Sequence, residues 1–123
     1  MEPYGLWKVV HLAGVTAVLA PVMALALHGM NGGDRADNPN RRLVFLTHGV
    51  GMFVSIYAGM KLAVLTTPTP WPAWVWCKLA LWLLAGFLPA LASRKPALGV
   101  ALWWAPPVFV AVAVALVQSR LGA

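Results

Sequence analysis

The sequence predicts an all-α, polytopic membrane protein, built as an antiparallel bundle of four transmembrane helices. Four long apolar runs occupy most of the 123 positions, and a helix of about 20 residues spans the ~30 Å hydrocarbon core of a bilayer. Charged residues make up only 10% of the chain, against roughly 25% in a soluble domain. The short connections make successive helices antiparallel neighbours. Residues 1–123 are therefore expected to form a single membrane domain.

Three connections of different character separate the four runs. The first, 30–41, carries both aspartates of the chain together with Arg35 and Arg41. The second, 66–72, is uncharged and rich in proline, and the third is a tight turn at 94–96. The predicted spans are 6–29, 42–66, 72–93 and 97–118.

The loop charges predict an orientation in the membrane. Five basic residues lie in or beside the first and third connections: Arg35, Arg41, Arg42, Arg94 and Lys95. Basic loops stay on the cytoplasmic side. The connections 30–41 and 94–96 are therefore expected in the cytoplasm, and both termini on the periplasmic side.

The net charge of +6 does not indicate a nucleic-acid partner. The nine Lys and Arg residues are scattered, and three lysines, Lys8, Lys61 and Lys78, lie inside the apolar runs. Nucleic-acid binding needs a basic stripe on a water-exposed face. The partner predicted by this composition is the lipid bilayer itself.

Ionisable side chains inside the spans are the candidates for function, because such groups are costly in a membrane. No Asp or Glu lies in any span, so the usual machinery of an ion-coupled pump is missing. His11 and Lys78 are each expected about 7–9 Å from the end that carries the termini, counting 1.5 Å per residue. His28 and His48 are expected close to each other, nearer the opposite end. His11 and His28 are separated by ~25 Å along one helix and cannot share one iron.

One face of the second helix combines a histidine with small residues. His48, Gly51, Ser55 and Gly59 follow one another at steps of three, four and four, so they share a face. Small residues beside a histidine allow a flat macrocycle to approach the helix backbone closely. They equally admit a neighbouring helix. The spacing leaves both interpretations open.

Several short motifs resemble a known group of proteins. They are LWKVVH at 6–11, RRL at 41–43, Gly59 and WCKLALW at 76–82. In these motifs the chain resembles small four-helix bacterial membrane proteins that include the SirB family and the HemJ-type protoporphyrinogen oxidases. The resemblance implies a bacterial inner-membrane protein that binds b-type haem. It places the first-helix histidine and third-helix lysine of the HemJ type on His11 and Lys78, and the second-helix histidine of SirB-like proteins on His48.

The chain departs from the HemJ type in two ways. It is shorter, and its third and fourth helices contain no histidine. These departures bear on oxidase activity more than on the fold or on haem binding. Whether the chain is an enzyme is therefore left open, and no catalytic residue is assigned.

The leading hypothesis is a small inner-membrane protein that binds haem b and has a redox or electron-transfer role. The iron ligand is expected to be His11 or His48, and His28 and Lys78 complete the candidate cofactor-binding residues. A quinone or a larger membrane protein complex would be the partner. The alternative is a non-catalytic accessory subunit of a larger membrane complex.

Overall fold

The computed structural model describes residues 2–123 as four long helices joined by short connections. A short 3₁₀ turn, Pro96–Leu98, precedes the last helix, and the described residues contain no strand. Every helix begins and ends within three residues of the predicted span, and all four are long and apolar enough to cross a membrane. The predicted four-helix membrane bundle is confirmed. The helices are α1 (Pro3–Met30), α2 (Arg41–Thr66), α3 (Ala73–Arg94) and α4 (Gly99–Ser119).

The two ends of the bundle differ in packing. We call the end with connections 31–40 and 95–98 the loop end, and the end with both termini and connection 67–72 the termini end. The main apolar core lies towards the loop end. It comprises Val22, Leu25, Ala26, Leu88, Ala92 and Leu102, contributed by α1, α3 and α4.

Small residues bring α1 and α2 into backbone contact. A Cβ added to Gly51 would lie 2.6 Å from the Val18 nitrogen, and one added to Gly14 would lie 2.7 Å from the Ser55 nitrogen. Both distances are far below van der Waals contact, so only glycine fits. The small-residue face of α2 therefore admits a neighbouring helix, as one of the two interpretations of its spacing predicts.

Aromatic and basic side chains pair on the outer surface near the termini end. The Lys61 ammonium lies 5.7 Å from the Trp7 ring centroid and 5.6 Å from that of Tyr57. The Trp76 indole donates a hydrogen bond to the Trp71 carbonyl, at 3.2 Å. Rings with one polar edge are enriched at membrane–water interfaces. This cluster marks the interfacial level at the termini end.

Candidate functional site

A cavity of about 620 Å³ opens among all four helices in the half of the bundle nearest the termini. We call it the main cavity. Its lining extends along α1 from Tyr4 to Leu19, about 22 Å at 1.5 Å per residue. Ligand pockets typically measure roughly 300–1,000 Å³, so the main cavity has the size of a cofactor site.

Short side chains on α4 leave this space unfilled. The α4 wall includes the short side chains of Val110, Ala113, Val114 and Val117. At the inner end, Trp82 and Phe109 line the cavity. The Trp82 indole donates to the Met52 carbonyl at 3.0 Å and ties α3 to α2 there. The cavity thus has mainly apolar walls, and the Trp82 ring at its inner end is held by a hydrogen bond.

His11 stands on the wall of the main cavity with its ring held in place. Its Nδ1 lies 2.9 Å from the Ser55 carbonyl oxygen. A carbonyl oxygen only accepts, so Nδ1 donates, and a neutral ring then keeps an unprotonated Nε2. A Cβ at Gly59 would lie 3.0 Å from the His11 Cε1 atom, so Gly59 gives the ring its room. A backbone carbonyl that fixes one ring nitrogen is typical of metal-binding histidines.

The charged side chains that line the main cavity are all basic. Lys8, Lys78 and Arg120 line it together with His11, and no aspartate or glutamate of residues 2–123 does. The structure places His11 and Lys78, the pair predicted at one level, on the lining of the same cavity. An apolar space edged by cations favours an amphipathic ligand that carries acidic groups.

The C-terminal residues bring Arg120 to the cavity. Arg120 adopts a left-handed conformation with φ of 49°, which ends α4, and Gly122 follows with φ of 81°. The reversed chain lets the Leu121 carbonyl accept a hydrogen bond from the Trp74 N–H at 2.9 Å, at the start of α3. Arg120 is not among the site residues predicted from the sequence, because a left-handed non-glycine residue has no clear sequence signal.

His48 occupies a different place from His11. It is buried between α1 and α2, where its Nδ1 donates to the Val18 carbonyl at 2.8 Å. Its Nε2 is buried without a hydrogen-bond partner, and the residue does not line the main cavity. Of these two histidines, only His11 lines the main cavity.

His28 lies in the last turn of α1 and contacts the first connection. Its Nε2 lies 2.8 Å from an Asp37 carboxylate oxygen and 2.7 Å from the Asp34 carbonyl oxygen. The expected proximity of His28 to His48 is wrong. His48 is level with Val18, and His28 lies about 15 Å further along α1. Counting helix rise places the two histidines together only if the end of α1 is level with the start of α2. The Val18–His48 and His11–Ser55 contacts set the register of the two helices. In that register the end of α1 extends about 8 Å beyond the start of α2.

The histidines do not form a metal site of their own. Within residues 2–123, no group of three or more His, Cys, Asp or Glu side chains could hold a metal ion. Comparison with family models, with curated proteins and with solved structures gives no match. The class of protein that the fold and the site define is a four-helix membrane bundle with a basic, apolar-walled cavity.

Proposed function

We propose that this chain is a small bacterial inner-membrane protein that binds b-type haem in the main cavity and has a redox or electron-transfer role. The observation that carries the proposal is His11. Its ring is fixed by the Ser55 carbonyl, and it stands on the wall of a cavity whose charged lining is entirely basic. The proposal agrees with the resemblance to HemJ-type proteins at His11 and Lys78.

The residues present fit the needs of haem. A porphyrin supplies four nitrogen ligands, so a lone imidazole suffices where a protein-only metal site does not form. His11 offers that imidazole through Nε2. Lys78, Lys8 and Arg120 are available to pair with the two propionates, and the valines of α4 provide the apolar wall.

Each part of the chain has a defined task in this proposal. Bound haem supplies a one-electron iron couple whose potential depends on its ligand and on burial. The Ser55 carbonyl orients the His11 ring and raises its basicity as a ligand. The apolar walls exclude water, and the cations stabilise acidic groups at a depth where unpaired carboxylates would be costly.

Titration of the detergent-purified protein with haemin tests the proposed binding. We expect a Soret band that shifts from the position of free haemin and saturates at about one haemin per chain, since one cavity offers one fixed imidazole. A signal that rises linearly without saturation would contradict specific binding.

Lys78→Gln is expected to weaken haemin binding about tenfold, because it removes a partner for an acidic group inside the membrane. Lys61→Gln is the matched control. Its ammonium lies over Trp7 and Tyr57 on the outer surface and does not line the cavity. The dissociation constants from haemin titration decide the outcome. Equal weakening by both variants would show that the charge acts from a distance and would rule out a partner role for Lys78.

A reporter fused after Ala123 tests the proposed orientation. The basic residues of connections 31–40 and 95–98 support a cytoplasmic loop end and periplasmic termini. Alkaline phosphatase, which is active only in the periplasm, is therefore expected to be active in the fusion. Green fluorescence from a fused fluorescent protein, with an inactive phosphatase fusion, would reverse the orientation.

The alternative function is that of an accessory subunit in a larger membrane complex. The exposure of the last helix favours it. Only 11% of an 18-residue apolar stretch in this helix is buried, against 39% of the corresponding stretch in α1. Gentle detergent extraction followed by native electrophoresis distinguishes the two. A chain that migrates alone and binds haemin supports the leading proposal, whereas a chain that migrates only with a larger partner and binds none supports the alternative.

A further inference from the structure

We propose that the loop end of the bundle binds a phosphate group between Arg35, Arg41 and Ser93. This site is separate from the main cavity and lies at the opposite end of the helices. It does not depend on haem binding. Its ligand is defined by chemistry, a phosphate that belongs either to an anionic phospholipid headgroup or to free inorganic phosphate.

The basic side chains at the loop end are available for a ligand. Within residues 2–123 the only ion pair joins His28 and Asp37, and neither Arg35 nor Arg41 donates a side-chain hydrogen bond. Guanidinium groups bind phosphate through paired N–H donors. Unpaired basic residues at the cytoplasmic end of membrane helices are typical of contacts with anionic lipids.

The two aspartates of the connection form no ion pair with these arginines. One carboxylate oxygen of Asp34 accepts the N–H groups of Ala36 and Asp37, each at 2.9 Å. One carboxylate oxygen of Asp37 accepts the Asp34 N–H and pairs with His28, each at 2.8 Å. Both acids are therefore used to fold the connection, and neither arginine is held in an ion pair.

A small recess lies between the first connection and the end of α3. Arg35, Arg41 and Ser93 line it together with His28, Asp34 and Asn38, and its volume of about 10 Å³ admits about one oxygen-sized group. The Ser93 Oγ is buried and has no hydrogen-bond partner. A phosphate oxygen in the recess would accept a hydrogen bond from that hydroxyl, while the rest of the phosphate stays at the opening with the guanidinium groups.

Apolar side chains adjoin the polar part of the recess. Phe45 and Leu25 line it beside the arginines, and Leu43 in the first turn of α2 is 64% exposed. A phospholipid would thus find a basic site for its headgroup next to an apolar helix surface for its acyl chains. Free phosphate would use only the basic part.

Native mass spectrometry of the detergent-purified full chain tests the site, with phosphatidylglycerol as the probe and phosphatidylcholine as the reference lipid. Retention of phosphatidylglycerol is expected to fall about fivefold in Arg35→Gln and in Arg41→Gln, the effect of one basic residue on an anionic lipid. Ser93→Ala is expected to lower it less. Arg94→Gln is the matched control, because Arg94 lies at the same end and does not line the recess.

Thermal unfolding distinguishes the two sources of phosphate. Stabilisation of the wild-type chain by phosphatidylglycerol alone assigns the site to a lipid headgroup, and equal stabilisation by inorganic phosphate assigns it to the free ion. Both results support a phosphate site if Arg35→Gln abolishes them. The proposal is overturned if neither probe stabilises the chain, or if Arg94→Gln has the same effect as Arg41→Gln.

Discussion

His11→Asn is expected to abolish haem binding, whereas His48→Asn retains it. The amide nitrogen of asparagine lies two bonds from Cβ, as does Nδ1 of histidine. Each variant therefore keeps the hydrogen bond to its backbone carbonyl, Ser55 for His11 and Val18 for His48, and loses only Nε2. Since only His11 lines the main cavity, only its variant loses an iron ligand.

The expected loss of affinity in His11→Asn exceeds 100-fold, because changing even the partner of a metal ligand typically costs about 10–100-fold. Haemin titration measures it, and circular dichroism of both variants verifies that the helices persist. Unaltered binding in His11→Asn would remove His11 from the site. Loss of binding in His48→Asn alone would place the iron at the α1–α2 contact and contradict the assignment to the main cavity.

Gly51→Ala is expected to lower the free energy of unfolding by about 2 kcal/mol, within the range for overpacked cores. The added methyl group would lie 2.6 Å from the Val18 nitrogen and 2.7 Å from the Ala17 carbonyl carbon. These are backbone atoms, which cannot turn aside as a flexible side chain does. The two helices must therefore separate along their closest contact.

Gly49→Ala is the matched control two residues away on the same helix. A Cβ there meets no atom within 4 Å, so the variant is expected to gain up to about 1 kcal/mol from the higher helix propensity of alanine. Unfolding in mixed micelles of mild and denaturing detergent measures both variants. Equal stabilities for Gly51→Ala and Gly49→Ala would refute the close contact between α1 and α2.

The fold was predictable from the sequence because the bilayer sets the length of an apolar helix. Four runs of sufficient length give four spans, and their bounds follow within a few residues. The small-residue face of α2 was also readable, since a period of three and four places His48, Gly51 and Ser55 together. The period does not show which helix packs against this face. In the structure that helix is α1.

The site was only partly predictable. The depth of His11 and Lys78 follows from helix rise, and the structure brings both to one cavity. The cavity itself depends on how short side chains of α4 meet the other helices, which no local pattern encodes. The same limit explains the error for His28 and His48, because helix rise gives depth only from a helix end, and the ends of α1 and α2 are not level.

The haem content of the protein purified from membranes of haem-replete cells tests the central claim most directly. Pyridine haemochrome analysis identifies the haem type, and amino-acid analysis gives the amount of protein. We predict b-type haem at close to one per chain, since one imidazole faces one cavity. A purified, folded protein without a Soret band, and with less than about a tenth of a haem per chain, would contradict the proposed function.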